Sequence, residues 1–315
     1  MVSQEGIDQH HGERKGSTEI DWLIVGGGIH GVHIAARLLG EGEVNPDRLR
    51  IVDPAEQLLN RWRTCTETTG MTHLRSPWVH NLDLGPWSLM NYAGKGNRRN
   101  RELFAQPYNR PKLTLFNEHC DHVIKSYNLN NLHIHARAIS CSVGCDGVSV
   151  QLSTGSEIST GNIVFAIGAG DQPKWPEWAP KDDPRVHHIF DSEFDGWPST
   201  KEHVVIVGGG ISAVQVALRL VKEGHEAHLV SRHALREHHF DSDPAWLGPK
   251  NMRGFQRERD VDQRREMISG ARHKGSVPPH VRRAIRAAIR HGNAHWHEGE
   301  IRQLDVDGST IIMRL

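Results

Sequence analysis

LIVGGGIHGVHIAARLL, residues 23–39, joins an apolar run to three spaced glycines and then to apolar residues at helical spacing. This order predicts a strand, a tight turn and a helix. In such a unit Gly26 permits the turn, Gly28 lets the backbone approach a pyrophosphate, and Gly31 lets the helix pack on the strand. The stretch therefore predicts a Rossmann-like unit that binds a dinucleotide.

A second strand, LRIVDP (residues 49–54), follows this helix and contains Asp53 at its end. A carboxylate about 20 residues after the last glycine accepts hydrogen bonds from ribose hydroxyls in such units. Gly26, Gly28, Gly31 and Asp53 are therefore candidate cofactor-binding residues. A structural turn that holds no ligand is the alternative.

The turn recurs in VIVGGGISAV, residues 205–214, where Gly208, Gly210 and Ala213 take the three glycine positions. Ser212 precedes Ala213 and is placed to help hold phosphates at the start of the helix. These four residues are candidates for binding a second dinucleotide. A duplicated unit whose site is empty is the alternative.

The second strand of this repeat, EAHLVSR (residues 226–232), ends without an acid. Ser231 and Arg232 stand where the first unit has Asp53. Because a cation at this place suits a 2′-phosphate, Arg232 predicts NADPH in preference to NADH. A solvated arginine at the start of a loop is the alternative.

Composition limits the other functions. Lysines plus arginines and aspartates plus glutamates balance at 38 each in 315 residues, so no overall charge favours nucleic acid or an anionic membrane. No apolar run is long enough to span a membrane, which predicts a cytoplasmic protein with a disordered tail over residues 1–18. The four cysteines form no CxxC pair, and the 23 histidines form no HExxH motif, so no dithiol centre and no metal site are expected.

Two segments between the turns point to a known architecture. GNIVFAIGAGDQPKWP, residues 161–176, resembles the strand that closes the FAD domain in flavoproteins with two dinucleotide sites. The residues before it alternate like hairpin strands, with turns at Gly147 and Gly155. They resemble the small sheet inserted in such FAD domains.

Further segments extend this likeness, and the sequence resembles the class B flavin monooxygenases, closest to the siderophore-type ornithine and lysine N-hydroxylases. The segments that carry the resemblance are GMTHLRSPWVHNLDLGPWSLMNYA (70–93), YNRPKLTLFNEHCDHVIKSY (108–127), VHHIFDSEF (186–194) and SRHALREHHFDSDPAWLG (231–248). The resemblance implies an α/β fold of two Rossmann-like dinucleotide-binding domains, with the NADPH domain inserted in the FAD domain.

The implied domains are a first part of the FAD domain at residues 19–175, an NADPH domain at 184–290 and a return to the FAD domain at 291–315. The chain stops at DGSTIIMRL, where the resemblance requires another strand and turn over the flavin. The return segment is therefore expected to be truncated and the flavin to be held weakly.

The resemblance implies an enzyme that uses FAD and NADPH to oxygenate a small nucleophilic substrate with dioxygen through a C4a-hydroperoxyflavin. His73 and Arg75 are the flavin-facing candidates, and Trp62 is a candidate for cofactor binding or for core packing. Amine N-hydroxylation is left open, because Thr72 replaces the family's glutamine and the Asn-Glu pair of the family is absent. A reductase that serves a quinone or protein acceptor and a nucleotide-binding pseudoenzyme are the alternatives. The oligomeric state is not predicted.

Overall fold

The computed structural model describes residues 20–94, 96, 100–145, 147–168, 172–307 and 310–315. The predicted disordered tail, residues 1–18, lies outside the described residues. Within this part of the chain, no helix is both long enough and apolar enough to cross a membrane.

Short and long strands run through the described residues. They are β1 (Ile20–Val25), β2 (Leu49–Asp53), β3 (Phe104–Ala105), β4 (Arg110–Pro111), β5 (His133–His135), β6 (Ala138–Gly144), β7 (Gly147–Leu152), β8 (Glu157–Phe165), β9 (His203–Val207), β10 (Glu226–Ser231), β11 (Arg236–Glu237), β12 (Ser276–Val277), β13 (Ala294–Glu298), β14 (Gln303–Asp307) and β15 (Thr310–Arg314).

The helices alternate with these strands. They are α1 (Ile29–Gly40), α2 (Asn60–Thr68), α3 (Ser88–Tyr92), α4 (Leu113–Ser126), α5 (Ile211–Glu223), α6 (Pro249–Arg257), α7 (Val261–Ala271) and α8 (Pro279–Arg290). Short 3₁₀ helices lie at Pro46–Arg48, Leu129–Leu132 and Pro244–Leu247.

The first of two compact units contains the described residues of Met1–Asn60 and Val123–Gly168. Its sheet has the strand order β5-β2-β1-β8-β7-β6. Strand β1 lies parallel to β2 and β8, and β2 lies parallel to β5. Parallel strands at the centre of a sheet are buried on both faces, which accounts for the nearly continuous apolar run in β1. The predicted strand, turn and helix at residues 23–39 are confirmed.

The predicted hairpins are confirmed in the same unit. Strand β7 pairs antiparallel with both β6 and β8. Gly147 and Gly155 stand at the two turns with φ of 131° and 85°, a conformation that favours glycine. The hairpin strands continue the main sheet, because β8 pairs with β7 along one edge and with β1 along the other.

The second unit contains Arg61–His122 and the described residues of Ala169–Leu315. Its parallel sheet has the order β13-β10-β9. Buried side chains of α5 and α8, including Val214, Leu220 and Ile285, share one core with β9 and β10. The two helices pack against the sheet through this core, because each helix buries its apolar face there.

The end of the chain differs from the sequence-based boundary. Strand β13, Ala294–Glu298, completes the second sheet beside β10, so the boundary expected at residue 290 falls before the last strand of that sheet. The following β14 and β15 form an antiparallel hairpin. Alternation of apolar and polar residues indicates a strand but does not indicate which sheet the strand joins, because residues distant in the sequence determine the pairing. The α/β class is confirmed, and the insertion of one domain in the other stays a prediction.

Candidate functional site

The first glycine turn connects β1 to α1 in a conformation that excludes other residues. Gly26 has a φ of 113°, and its N–H donates to the carbonyl of Val52 at 2.8 Å. A Cβ at Gly26 would lie 2.5 Å from the carbonyl oxygen of Ala166 in the neighbouring chain segment. The turn is therefore fixed against the ends of both adjacent parallel strands.

The other two glycines of this turn differ in what surrounds them. A Cβ at Gly31 would lie 1.8 Å from the carbonyl oxygen of Gly26, so α1 approaches the turn as closely as a glycine allows. A Cβ at Gly28 would meet nothing within 4 Å. Gly28 is the N-cap of α1 and provides no side-chain cap, which leaves the N–H groups of the first helical turn to a ligand. This open, positive helix end fits a pyrophosphate.

Asp53 braces the first turn as well as ending β2. Its Oδ2 accepts the Gly27 N–H at 2.6 Å, and its Oδ1 accepts the Ala55 N–H at 2.8 Å. Each carboxylate oxygen has a further lone pair, so these bonds leave Asp53 able to accept from a ribose hydroxyl. The bracing role was not predicted, because the sequence gives no contact between Asp53 and Gly27.

The second turn repeats the backbone arrangement of the first. Gly208 has a φ of 137°, and its N–H donates to the carbonyl of Val230 at 2.8 Å. Gly210 is the N-cap of α5, again without a side-chain cap. Ala213 is buried where the first unit has Gly31, and its Cβ would lie 3.3 Å from a Cβ at Gly208. The second turn is therefore less tightly closed by its helix.

The strand ends that follow the two turns are chemically different. Ser231, the last residue of β10, is buried; its hydroxyl donates to the His233 carbonyl and accepts the Trp296 indole N–H, both at 2.9 Å. The side chain of Arg232 is 74% exposed and lies 3.5 Å from Glu300, whose side chain is also exposed. Arg232 is therefore accessible to a phosphate. Ser212 lies in the first turn of α5 and is half-buried.

A cavity of about 290 Å³ opens in the second unit, lined by Trp62 and by residues of the segments 71–80 and 240–242. Trp62 packs edge-on against Phe116 at 5.5 Å and donates its indole N–H to Asn117 at 3.0 Å. The Trp62 side chain thus packs within the second unit and also borders the cavity. Its predicted contact with a cofactor stays a prediction.

Arg75 reaches the loop on the other side of this cavity. Its guanidinium donates to the carbonyls of His238, His239 and Phe240 at distances between 2.8 and 3.3 Å. It also donates to the carbonyl and the hydroxyl of Ser276. Arg75 is therefore no freely solvated surface arginine; it holds the cavity wall, and burial lowers its pKa. Its predicted position facing the flavin stays a prediction.

His73 belongs to a cluster that the sequence did not indicate, in which His73 and His280 are half-buried and Arg110 is buried. Its ring lies edge-on to His280, 6.4 Å between centroids, and Arg110 donates from Nη2 to His280 Nδ1 at 3.2 Å. Burial, followed by the charge of Arg110, lowers the pKa of His73 and lowers that of His280 to about 4. Both imidazoles are therefore neutral at neutral pH.

Arg110 carries the charge of this cluster. It is 1% exposed, and its Nε and Nη1 have no hydrogen-bond partner among the described residues. A buried guanidinium with unpaired donors is costly unless an anionic or electron-rich group meets it. His280 lies in the first turn of α8, whose N-cap also provides no side-chain cap, so this cluster fits an anionic ligand.

Two family models match the chain. One, described as pyridine nucleotide-disulphide oxidoreductase, matches residues 100–299, which is more than half of the chain. The other, described as FAD-NAD(P)-binding, matches residues 23–170 and includes the first glycine turn. No curated protein shows significant sequence similarity to the chain.

Solved structures show the same fold at low sequence identity. The ornithine hydroxylase PvdA from Pseudomonas aeruginosa is 16% identical, with 93% of this chain and 77% of that chain covered and a TM-score of 0.70. An ornithine N-hydroxylase from Kutzneria sp. 744 is 14% identical, with 93% and 75% covered and a TM-score of 0.71. A bacillithiol disulfide reductase from Bacillus cereus is 16% identical, with 94% and 74% covered and a TM-score of 0.56.

These matches bear on the sequence-based predictions. The resemblance to class B flavin monooxygenases, and within them to ornithine hydroxylases, is confirmed as a likeness of fold. The predicted oxidoreductase class, with FAD and a nicotinamide nucleotide as cofactors, is confirmed by the family matches. The substrate and the individual site residues stay predictions.

Proposed function

Because this chain belongs to the pyridine nucleotide-disulphide oxidoreductase family, we propose that it is an NADPH-dependent flavin monooxygenase acting on a small nucleophile such as an amine. The observation that carries this proposal is the pair of glycine turns with matching backbone hydrogen bonds and unlike strand ends. Two sites for different dinucleotides allow one to be reduced by the other.

In the proposed enzyme, the first turn holds FAD. The open first turn of α1 binds the pyrophosphate, Gly28 lets the phosphates approach the backbone, and Asp53 accepts from the ribose while it braces the turn. Bound flavin, once reduced, supplies the chemistry that activates dioxygen for transfer to a nucleophile. The protein residues bind and orient this cofactor.

The second turn holds NADPH in this proposal. The uncapped start of α5, with Gly210 and Ser212, meets the pyrophosphate. The exposed guanidinium of Arg232 pairs with the 2′-phosphate, since its contact with Glu300 is long and solvent-exposed. The buried hydroxyl of Ser231 is occupied by Trp296 and His233, so Arg232 supplies the discrimination between NADPH and NADH.

Replacing Arg232 tests this assignment. Arg232→Ala should raise the KM for NADPH about tenfold and leave the KM for NADH nearly unchanged, because only NADPH loses a charge-assisted contact. The matched control is Arg236→Ala, which removes another exposed arginine shortly after β10. Steady-state rates of NADPH oxidation and of NADH oxidation give the two KM values. Equal changes for both nucleotides, or an equal effect of the control, would contradict the assignment.

The cavity supports a small substrate. Its volume of about 290 Å³ lies near the lower limit of ordinary ligand pockets. Arg75 fixes the wall at residues 238–240, and Trp62, Leu74 and Phe240 give the cavity apolar surface against which a small substrate could pack.

A coupling experiment tests the proposed reaction. We expect that NADPH oxidation, oxygen uptake and formation of an oxygenated product become equal when a good substrate is supplied from a panel of small amines and thioethers. Without substrate, hydrogen peroxide should account for the oxygen consumed, because no nucleophile is present to receive an oxygen atom. If every compound in the panel leaves peroxide equal to NADPH consumed, the monooxygenase proposal fails.

A reductase is the second candidate, favoured by the description of the matched family and by the fold shared with a bacillithiol disulfide reductase. All four cysteines are unbridged, and burial raises the pKa of the Cys120 thiol to about 12. A thiol with this pKa is a poor nucleophile, which disfavours Cys120 as the thiol that attacks a disulfide. Anaerobic oxidation of NADPH with a disulfide or quinone acceptor, without dependence on oxygen, would favour this function.

A further inference from the structure

The sheet of the second unit carries a group of imidazoles and one carboxylate on a single face. Alternate residues of a strand point to the same face, and the register places His203 beside Glu226 and His228 beside His295. His297 follows two residues after His295 on β13. We call these five residues the histidine face. Its residues lie on all three strands of the sheet, β9, β10 and β13.

The polar atoms of the histidine face converge on Glu226. Its Oε1 lies 3.3 Å from His228 Nε2 and 3.0 Å from His295 Nε2, and its Oε2 lies 3.4 Å from His203 Nδ1. Ligand atoms of His203, Glu226 and His228 all lie within 4.8 Å of one another. Nitrogen and oxygen ligands about 2.0–2.2 Å from a tetrahedral zinc ion are themselves about 3.3–3.5 Å apart. The distances from the Glu226 oxygens to the histidine nitrogens lie near this range, and the ligand atoms, which lie within 4.8 Å of one another, need to approach further to share one ion.

The chemistry of these groups also suits zinc. Zn²⁺ is intermediate between hard and soft metal ions, and it binds both carboxylate oxygens and neutral imidazole nitrogens in proteins. The ion pairs that the structure gives Glu226 all involve histidines, so no arginine or lysine of the described residues forms a salt bridge with this carboxylate. The rings of His228 and His295 are stacked at 4.7 Å between centroids.

We propose that His203, Glu226 and His228 bind one Zn²⁺ ion on the sheet of the second unit, and that His295, which contacts the same carboxylate, turns to supply a fourth ligand. The side chains range from 26% to 75% exposed, so an ion reaches them without unfolding of the sheet. The ligands join residues far apart in the chain, and the ion therefore cross-links the three strands. Because such a site binds the folded chain alone, it stabilises this unit. This site departs from the sequence-based expectation of no metal.

Zinc titration of the complete chain tests the site after treatment with a chelator. Isothermal calorimetry with ZnCl₂ should give one ion bound at this site, and the same zinc addition should raise the melting temperature. Glu226→Gln and His228→Ala should each weaken binding at least about tenfold, since each removes a ligand. His187→Ala, which removes an exposed histidine outside the histidine face, is the matched control and should bind as the wild type does.

Folding and binding are separated by melting each variant in the presence of chelator. Glu226→Gln keeps the shape of a half-buried side chain, so its melting temperature without zinc should stay close to that of the wild type. Co²⁺ provides a second probe, because four-coordinate sites give an intense visible spectrum that the variants should lose. If Glu226→Gln and His228→Ala retain the zinc affinity and the thermal shift of the wild type, the histidine face binds no zinc and the proposal is wrong.

Discussion

A Gly31→Ala substitution should lower the free energy of unfolding by about 3 kcal/mol or more. The new Cβ would lie 1.8 Å from the Gly26 carbonyl oxygen and 3.0 Å from its carbonyl carbon. Non-bonded heavy atoms attract at about 3.5–4.0 Å, so this contact is strongly repulsive. Both partners are backbone, and relief requires α1 to move away from β1 and its buried side chains. Urea unfolding followed by circular dichroism measures the change.

The second glycine turn provides the control for this prediction. Ala213 already occupies the equivalent position, 3.3 Å from a Cβ at Gly208, so Ala213→Gly creates no clash. It should cost about 1–2 kcal/mol, from the ordinary difference between alanine and glycine in a helix and the loss of one buried methyl group. If Gly31→Ala unfolds at the same urea concentration as the wild type, the close approach of α1 to the first turn is wrong.

A Gly28→Ala substitution should weaken FAD binding about 100-fold, or about 2.7 kcal/mol, with little effect on folding. The backbone at Gly28, φ −76° and ψ −171°, is extended and accessible to alanine. No atom lies within 4 Å of the new Cβ, so the free energy of unfolding should change by less than about 0.5 kcal/mol. The methyl group would instead occupy the space in which we propose that the pyrophosphate approaches α1.

Titration of the apoprotein with FAD, followed by quenching of flavin fluorescence, measures this affinity. Gly85→Ala is the matched control, because a Cβ there also meets nothing within 4 Å and Gly85 lies outside the turn. Gly210→Ala, at the equivalent position of the second turn, should retain FAD and weaken NADPH. Wild-type flavin affinity in Gly28→Ala would show that FAD is not held at the first turn.

These predictions rest on features that local sequence specifies well. The turns at residues 23–32 and 205–214 are built from contiguous strand, glycine and helix signals, and both form as expected. The hairpins at Gly147 and Gly155 were predictable for the same reason. In each case the determining contacts join residues that are near in sequence, so the backbone requirement of each position is visible in the residue type.

Other parts of the candidate site depend on contacts between distant residues. Arg75 interacts with carbonyls more than 160 positions later, and Arg110 meets His280 across 170 positions. The sequence singled out Arg75 and His73 only through the family resemblance, and it did not single out Arg110 or His280. Burial lowers the pKa of His73 and of His280, and it leaves the Nε and Nη1 donors of Arg110 without a hydrogen-bond partner among the described residues.

The amino-acid sequence by itself determined the two glycine turns and the difference between Asp53 and Arg232, because glycine geometry and charge at a strand end are local properties. Only the tertiary structure decided that β13 joins the second sheet and brings His295 beside His228 and Glu226. Strand pairing in a parallel sheet is a long-range choice, made by the burial of whole faces. No short motif therefore records which side chains will meet.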